Sequence, residues 1–247
     1  MEIKGLLFDK DGTLLEFHQM WLRVAQGVAA DIKAMYVVNK TINTTEVQLL
    51  EAIGVFGEYV DNHGLLASNP VEDTALTWYE MLQPQCDLSE FTAVVKSRFN
   101  AQVEDNPELV QTLPGVKDKL IKLKQKGFKL GIATADTRDS TLYSLKLAGL
   151  TELFDYIGFS DGDIEPKPAP ALLLGFCQQC NIQPEQVVMF GDTVSDMEFG
   201  ANAGARKVGV LTGTATESEL LPYADVVLAS VADFELTFCR ESGISNL

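Results

Sequence analysis

Two aspartates lie two residues apart directly after a short apolar segment near the start of the chain. Asp9 and Asp11 follow Ile3–Phe8, and Gly12 then allows the chain to turn. Two carboxylates placed in this way can face one pocket, where one acts as a nucleophile and the other transfers a proton. A solvated acidic turn has the same sequence pattern, so this pair alone leaves both interpretations open.

A second pair of aspartates favours the chemical interpretation. Asp192 and Asp196 follow the apolar segment Val187–Gly191 at the start of a predicted helix. Asp192 alone could cap that helix, but a cap does not require a second aspartate one turn later. Acids from two separate strands that meet at one edge of a sheet are typical of a site for a hard divalent cation, and Mg²⁺ is its usual occupant.

A cluster of carboxylates needs positive charge nearby. Two carboxylates about 4 Å apart repel by ~4 kcal/mol at an effective dielectric constant of about 20. Several therefore cannot all stay ionised without a metal ion or a lysine. Lys167 is a candidate for that role because the prolines on both sides of it restrict its backbone.

A threonine marks a third candidate position. Thr134 ends the apolar segment Phe128–Thr134, and Ala135 follows it. A threonine at a strand end is often a local cap. Its hydroxyl and the amides that follow it could instead bind a phosphate oxygen.

The elements that must position these residues alternate between short apolar strands and helices. A helix is predicted over 116–126, and a closing helix over 230–239. Strands are predicted at Ile3–Phe8, Phe128–Thr134, Phe154–Gly158, Val187–Gly191, Lys207–Val210 and Ala224–Leu228. This alternation predicts an α/β fold in which a Rossmann-like parallel sheet is flanked by helices. Ligands of such sheets lie at the carboxyl ends of the strands.

Residues 16–106 interrupt this alternation. Apolar residues recur there at helical spacing, and no strand is evident. The two predicted apolar faces are Trp21, Leu22, Ala25 and Val28, and Val47, Leu50, Ile53 and Phe56. The sequence therefore predicts an α/β core domain over 1–15 and 107–247, with an inserted all-helical cap domain over 16–106.

Composition and charge limit the function classes. The chain has 247 residues and is 46% hydrophobic, enough to bury a sizeable core. Its formal charge of −16 disfavours binding to nucleic acid or to an anionic membrane surface. No apolar stretch approaches the ~18 residues of a membrane span, and the first residues do not resemble an export signal. The four cysteines suit a reducing compartment, so we expect a cytoplasmic protein.

Four segments, in their order along the chain, resemble the four motifs of the haloacid dehalogenase superfamily. They are DKDGTLL at 9–15, Thr134, EPKPAP at 165–170 and GDTVSDMEFGANAG at 191–204. The third and fourth look most similar to the phosphoglycolate-phosphatase branch, and the insertion occupies the place of its helical cap. Lys10 and Asp136 depart from the pattern, since many relatives have an apolar residue and an asparagine there.

The resemblance implies a catalytic role for these residues. Asp9 would attack phosphorus to form an aspartyl phosphate. Asp11 would protonate the leaving alcohol and later deprotonate the water that hydrolyses the intermediate. Thr134 and Lys167 would stabilise the transferred phosphoryl group. The substrate contacts implied are Gly12, Thr134, Ala135 and Lys167.

The resemblance also implies a magnesium site. Mg²⁺ would be held by Asp9, by the backbone carbonyl of Asp11 and by Asp192. Asp196 would lie beside these ligands, bound to a metal-bound water or to Lys167.

The resemblance implies a Mg²⁺-dependent phosphatase that acts on a small phosphorylated metabolite, with 2-phosphoglycolate as the leading candidate. The metabolite is the predicted partner of the protein, and neither nucleic acid nor a membrane is expected to bind. The protein is expected to be a monomer or a homodimer. Asp11 distinguishes the chain from haloacid dehalogenases, which attack carbon and need no acid at that position. Two alternatives stay open: a phosphomutase of the same fold, similar to β-phosphoglucomutase, and a non-catalytic interaction protein that keeps this fold.

Overall fold

The computed structural model describes residues 2–36, 44–61, 63–160 and 164–235. The chain divides into two compact units. The core unit consists of Met1–Glu16 and Gln111–Leu247, and the inserted unit consists of Phe17–Val110. That these units are separate domains, with boundaries at 15/16 and 106/107, stays a prediction.

The described residues form strands, helices and a few short 3₁₀ turns. The strands are β1 (Gly5–Phe8), β2 (Val55–Phe56), β3 (Tyr59–Val60), β4 (Lys129–Thr134), β5 (Tyr156–Phe159), β6 (Val187–Gly191), β7 (Arg206–Val210) and β8 (Val226–Leu228). The helices are α1 (His18–Tyr36), α2 (Glu46–Glu51), α3 (Leu65–Ser68), α4 (Val71–Leu82), α5 (Leu88–Asp105), α6 (Val116–Gln125), α7 (Arg138–Ala148), α8 (Ala171–Cys180), α9 (Val194–Ala203) and α10 (Glu217–Leu220).

A six-stranded parallel sheet with the order β5-β4-β1-β6-β7-β8 is the framework of the core unit. Strand β1 lies at its centre, where Phe8 is level with Ile132 of β4 and Phe190 of β6. The predicted α/β fold with a parallel sheet is confirmed. Because β4, β1 and β6 are neighbours in the same register, the residues that follow them are brought to one edge of the sheet.

Both faces of the sheet are covered, which explains why β1 is buried at every position. Leu7 packs on one face in a cluster with Phe176 of α8 and Phe199 of α9. Phe8 points to the other face, where its ring stacks on Phe190 at 4.8 Å between centroids. Full burial of each such side chain stabilises the fold by about 1.5–3 kcal/mol, so this strand is fixed firmly beneath the site.

Asp155, in the loop before β5, forms hydrogen bonds with residues at the amino end of β4 and in helix α6. Its carboxylate accepts hydrogen bonds from Lys124 Nζ at 2.7 Å and from the Leu130 N–H at 3.0 Å. Partial burial opposes ionisation, but these bonds and Lys129 hold the pKa of Asp155 below its usual value. An acid with a lowered folded-state pKa stabilises the fold above its unfolded pKa, and this contribution is lost as the pH falls through the folded value.

Asp155→Asn is therefore expected to lower the free energy of unfolding by about 1–2 kcal/mol at pH 7. The difference from wild type should shrink as the pH falls below about 4, where the wild-type carboxylate is protonated as well. Urea unfolding at pH 7 and pH 3 measures it, with the exposed Asp139→Asn as the matched control. A difference that is independent of pH would contradict this account.

The inserted unit packs its helices around a set of aromatic residues. Helix α1 buries an apolar face that includes the predicted Leu22, Ala25 and Val28. Trp78 of α4 is fully buried, and its indole N–H donates to the Leu49 carbonyl at 2.8 Å. Apolar burial together with a satisfied indole N–H stabilises this unit.

The second predicted apolar face of the insertion is buried only in part: Ile53 has no exposed surface, but the two ends of the face are exposed. Helix α2 ends at Glu51, and Gly54, at φ +90°, takes the chain out of the helical conformation. Val47 is 60% exposed and Phe56 50% exposed. The insertion is also not entirely helical, because β2 and β3 pair as a short antiparallel hairpin.

Two further expectations concern helices: the predicted closing helix and the absence of a membrane span. The predicted closing helix over 230–239 begins with only a 3₁₀ turn at Val231–Asp233, and most of the rest lies outside the described residues. Among the described helices, none combines the length and the hydropathy that a membrane span requires.

Candidate active site

Three carboxylates meet at the carboxyl edge of the sheet. Asp9 follows β1, and its N–H donates to the Phe190 carbonyl at 2.8 Å, which extends the strand pairing by one residue. Asp192 and Asp196 follow β6. Carboxylate oxygens of these three aspartates lie within 4.8 Å of one another. The sequence placed them on separate strand ends, and the parallel register brings them together.

Lys167 lies among these acids. Its Nζ is 2.6 Å from Asp9 Oδ1 and 2.6 Å from Asp196 Oδ1, and its side chain is only 7% exposed. The lysine comes from the segment after β5 and has a proline on each side; the Lys167–Pro168 peptide bond is cis. In the part of the chain that the structure describes, Asp9 Oδ2 accepts no hydrogen bond, so one oxygen is held and the other is available.

Burial dominates the electrostatics of this cluster. It raises the pKa of Asp9 to about 8, with Lys167 opposing the shift and Asp196 and Asp192 adding to it. Burial also raises the pKa of Asp192 to about 6, and Asp196 adds to this effect. Burial disfavours the charged form of Lys167 too, yet Asp196 and Asp9 hold its pKa above its ordinary value. The cluster as a whole lacks positive charge.

A loop after β7 fixes Asp192. Thr214 donates to Asp192 Oδ2 from its N–H at 2.9 Å and from its hydroxyl at 3.3 Å, and Thr13 Oγ1 donates to Oδ1 at 3.2 Å. Gly213 lies so close that a Cβ there would overlap the Asp192 carboxylate. Sequence reasoning did not identify Thr13 or Thr214. The available signal was the position of this loop, directly after a strand whose carboxyl end lies at the same edge.

Both carboxylate oxygens of Asp196 accept hydrogen bonds from the protein. Its Oδ1 accepts from Lys167, and its Oδ2 accepts from the N–H of Thr193 at 3.2 Å and from the Thr193 hydroxyl at 2.6 Å. Thr193 in turn caps helix α9 by accepting from the Asp196 N–H. Asp196 therefore orients Lys167 and the start of α9, with few free lone pairs for another ligand.

Gly12 shapes the turn that follows Asp9 and Asp11. It adopts φ +77°, its N–H donates to the Leu15 carbonyl at 2.8 Å, and its own carbonyl accepts from Thr212 Oγ1 at 2.7 Å. The amide of Gly12 is thus already used within the turn. Its role as a substrate contact stays a prediction, and the structure offers no free N–H for it.

Thr134 and Ala135 end strand β4 at the same edge of the sheet. Thr134 is 3% exposed, and its hydroxyl oxygen accepts from the Asp136 N–H at 3.2 Å. Among the described residues, no acceptor takes the hydroxyl proton of Thr134, so it can donate to a ligand. Ala135 is exposed.

A second buried lysine lies beside Asp11. Lys10 has no exposed surface, and its Nζ is 2.8 Å and 2.6 Å from the two Asp11 oxygens and 3.2 Å from Asp136 Oδ2. Burial raises the pKa of Asp11, and Lys10 opposes that shift. The sequence marked Lys10 and Asp136 only as departures from a family pattern, and the structure places them in contact.

The donor set fits a hard divalent cation. When all three carboxylates are ionised, the ammonium of Lys167 leaves two negative charges uncompensated in a buried pocket. The side-chain donors are all carboxylate oxygens, the ligands that Mg²⁺ prefers over softer sites. Burial raises the pKa values of Asp9 and Asp192, and their neighbouring carboxylates raise them further; a divalent cation would favour the ionised forms of both acids.

A family model described as haloacid dehalogenase-like hydrolase matches residues 3–204. The chain therefore belongs to the haloacid dehalogenase-like hydrolases. This confirms the superfamily suggested by the four motifs and makes the chain an enzyme, so the alternative of a non-catalytic interaction protein is not supported.

Two of its relatives match 98% and 55% of this chain. Pyrophosphatase PpaX of Bacillus mycoides is 32% identical over 98% of this chain and 100% of its own. The protein of the same name from Bacillus velezensis is 33% identical over 138 residues, 62% of its length. Among solved structures, a candidate beta-phosphoglucomutase from Thermotoga maritima has a TM-score of 0.70 and 25% identity, covering 98% of this chain and 99% of that one. A predicted phosphoglycolate phosphatase from Haemophilus somnus 129pt has a TM-score of 0.70 and 21% identity, covering 94% and 96%.

Proposed function

We propose that this protein is a Mg²⁺-dependent phosphatase that hydrolyses a small phosphorylated metabolite through an aspartyl phosphate. The observation that carries the proposal is the arrangement of Asp9. One oxygen of this buried carboxylate is held by Lys167 at 2.6 Å, and the other accepts no hydrogen bond from the described residues. This is the geometry of an oriented nucleophile.

In the first step, the free oxygen of Asp9 attacks phosphorus, and the bond between phosphorus and the ester oxygen breaks. Asp11 gives its proton to the leaving alcohol. In the second step, water attacks the aspartyl phosphate, Asp11 takes a proton from that water, and inorganic phosphate leaves. Lys167 and the Thr134 hydroxyl stabilise the charge on the phosphoryl oxygens in both steps.

Asp9, Asp192 and the backbone carbonyl of Asp11 are the residues proposed to hold Mg²⁺. The ion, when bound, supplies positive charge to the phosphoryl oxygens and to the carboxylate cluster. Asp196 is not a proposed ligand because Lys167 and Thr193 already engage both of its oxygens. Its role is to orient Lys167.

The proposed phosphatase has two candidate substrates. We keep 2-phosphoglycolate as a candidate from the third and fourth motifs. Pyrophosphate is the other, because the Bacillus mycoides relative that matches over its whole length is named a pyrophosphatase. A phosphomutase is the remaining alternative, favoured by the 25% identity to the candidate beta-phosphoglucomutase.

The test is release of inorganic phosphate from 2-phosphoglycolate, pyrophosphate and a panel of sugar phosphates, with Mg²⁺ or with EDTA. Release that requires Mg²⁺ is the expected result, and the ranking of kcat/KM identifies the substrate. Transfer of label between two positions of a hexose phosphate, without release of phosphate, would establish the mutase instead. No release and no transfer by the folded protein with Mg²⁺ would overturn the proposal.

Gly213→Ala is expected to weaken Mg²⁺ binding about tenfold, because groups that orient a metal ligand typically contribute 10–100-fold to affinity. The added Cβ would overlap the Asp192 carboxylate and displace it from Thr214 and Thr13. Isothermal titration with Mg²⁺ measures this change without reference to turnover. Leu211→Ala, at a 40% exposed position of the same loop, is the matched control and should bind Mg²⁺ as wild type does. Equal affinities of Gly213→Ala and wild type would contradict the assignment of Asp192 as a ligand.

A further inference from the structure

Lys10 is a charged residue of the first motif, and the proposed mechanism does not explain why it is buried. A lysine with no exposed surface is rare unless it is paired. Its backbone carbonyl accepts from the N–H groups of Leu14 at 2.9 Å and Leu15 at 3.0 Å. Its ammonium group contacts two carboxylates, so both ends of the residue are fixed.

The second carboxylate in contact with Lys10 is itself immobilised. Asp136 follows β4, the neighbour of β1, and its Oδ1 accepts from the Thr137 N–H at 2.7 Å. The Asp136 N–H donates to Thr134 Oγ1. Lys10 is therefore anchored through Asp136 to the turn that ends the adjacent strand.

Asp11 is the carboxylate that Lys10 contacts most closely. Its side chain is 16% exposed, and both of its oxygens lie within 2.8 Å of Lys10 Nζ, against 3.2 Å for Asp136 Oδ2. Contact of one ammonium with both oxygens fixes the rotation of the carboxylate, and each oxygen keeps a second lone pair. Proton transfer requires such a fixed orientation, because small displacements of a catalytic group cost large factors in rate.

We propose that Lys10 is a positioning residue that holds the Asp11 carboxylate for both of its proton transfers, with Asp136 as the anchor. The inference rests on the proposed function, in which Asp11 is the acid and base. Each aspartate of the first motif thus has its own buried lysine: Lys167 orients the nucleophile Asp9, and Lys10 orients Asp11. The ion pair with Asp136 brings these two departures from the family pattern into contact in this chain.

The test uses p-nitrophenyl phosphate with Mg²⁺ and rapid mixing. p-Nitrophenolate leaves without a proton, so the first step does not need Asp11, whereas hydrolysis of the aspartyl phosphate does. Lys10→Met is expected to release one equivalent of p-nitrophenolate per active site in a burst and then to turn over at least about tenfold more slowly than wild type. Asp11→Asn should show the same pattern.

A merely structural role of Lys10 predicts a different result. It would lower the unfolding temperature and slow the burst and the steady state together, and that outcome would overturn the inference. Unchanged turnover of folded Lys10→Met would overturn it as well. A wild type that releases phosphate neither from p-nitrophenyl phosphate nor from any compound of the metabolite panel would instead refute the proposed phosphatase, and with it this inference.

Two further variants keep the test decisive if Lys10→Met folds poorly. Lys10→Met/Asp136→Asn removes one positive and one negative charge, and neutralising a buried ion pair in this way is tolerated far better than breaking it. This double variant should show the burst and slow turnover of Lys10→Met. Asp136→Asn alone keeps the contact between Lys10 and Asp11 but removes the charge that anchors Lys10, so its turnover should lie between those of wild type and Lys10→Met. A double variant with wild-type turnover would overturn the inference.

Discussion

Asp9→Asn is expected to lower kcat for the best substrate by at least about 10⁴-fold, because loss of a covalent nucleophile removes the reaction path itself. The amide oxygen of asparagine can still accept the hydrogen bond that Lys167 donates to Asp9 Oδ1 at 2.6 Å. The packing around the side chain is kept, so the loss is one of chemistry. Phosphate release from wild type and variant, at saturating Mg²⁺, measures it.

The same variant should be at least as stable as wild type in EDTA. Burial raises the pKa of Asp9 to about 8, well above its value of about 3.9 in an unfolded chain. Between these pH values the folded state binds the extra proton, so the stability of wild type falls as the pH rises. Asparagine does not ionise and escapes this loss. The stability advantage of Asp9→Asn should therefore be larger at pH 8 than at pH 5.

Asp139→Asn provides the control, since it makes the same isosteric change at an exposed acid of α7. It should leave both turnover and stability at wild-type values. More than about 1% residual turnover in Asp9→Asn would refute the nucleophile. A large drop in its unfolding temperature at pH 8 would instead refute the account of Asp9 as a strained, desolvated carboxylate.

The position of the acids could be predicted from sequence because it follows from topology alone. Asp9 and Asp192 each come directly after a short, uniformly apolar run, and such runs become buried parallel strands. Parallel strands place their carboxyl ends at one edge. Thr134 is found by the same rule. Lys167 was found from its flanking prolines, and its contacts with Asp9 and Asp196 are a fact of the structure only.

Contacts between side chains that follow different strands could not be predicted in this way. Lys10 and Asp136 are 126 positions apart and meet only because β1 and β4 are neighbours in register. A single sequence gives the ends of strands but not their order in the sheet. The hydrogen bond from Thr214 to Asp192 could not be predicted for the same reason, since it depends on β7 lying next to β6.

The failures within the insertion have a local cause. Helical periodicity was extended from Val47 to Phe56, across Gly54. Apolar spacing does not record backbone conformation, and a glycine at positive φ ends a helix even where the pattern continues. Phe56 consequently lies in a hairpin, half exposed, where the helical pattern placed it in a core.

Lys167→Met is expected to separate catalysis from metal binding. It removes the only ammonium that contacts Asp9 and Asp196 among the described residues, and kcat should fall by about 10²–10⁴-fold because charge on the phosphoryl group loses its stabilisation. Mg²⁺ affinity should be equal to that of wild type or higher, because the carboxylates lose a competing positive charge. Phosphate release and titration calorimetry measure the two quantities.

The stability of Lys167→Met should depend on pH and on the metal. Without the lysine, the buried carboxylates are uncompensated, and breaking such a pair costs about 3–5 kcal/mol. Without the positive charge of Lys167, the folded-state pKa of Asp9 rises further, so this cost grows as the pH rises from 5 to 8 and is relieved when Asp9 is protonated. Mg²⁺ should restore much of the stability at pH 8, because a divalent cation compensates the same charge.

Lys122→Met, at an exposed position of α6, is the matched control and should change none of these quantities. Lys167→Arg keeps the charge but replaces a compact ammonium by a planar guanidinium that cannot take the same place between Asp9 and Asp196. It should therefore keep the stability of wild type at pH 8 better than Lys167→Met while still losing turnover. If Lys167→Met instead bound Mg²⁺ more weakly, Lys167 would be a support for the metal ligands, and the charge argument for this cluster would fail.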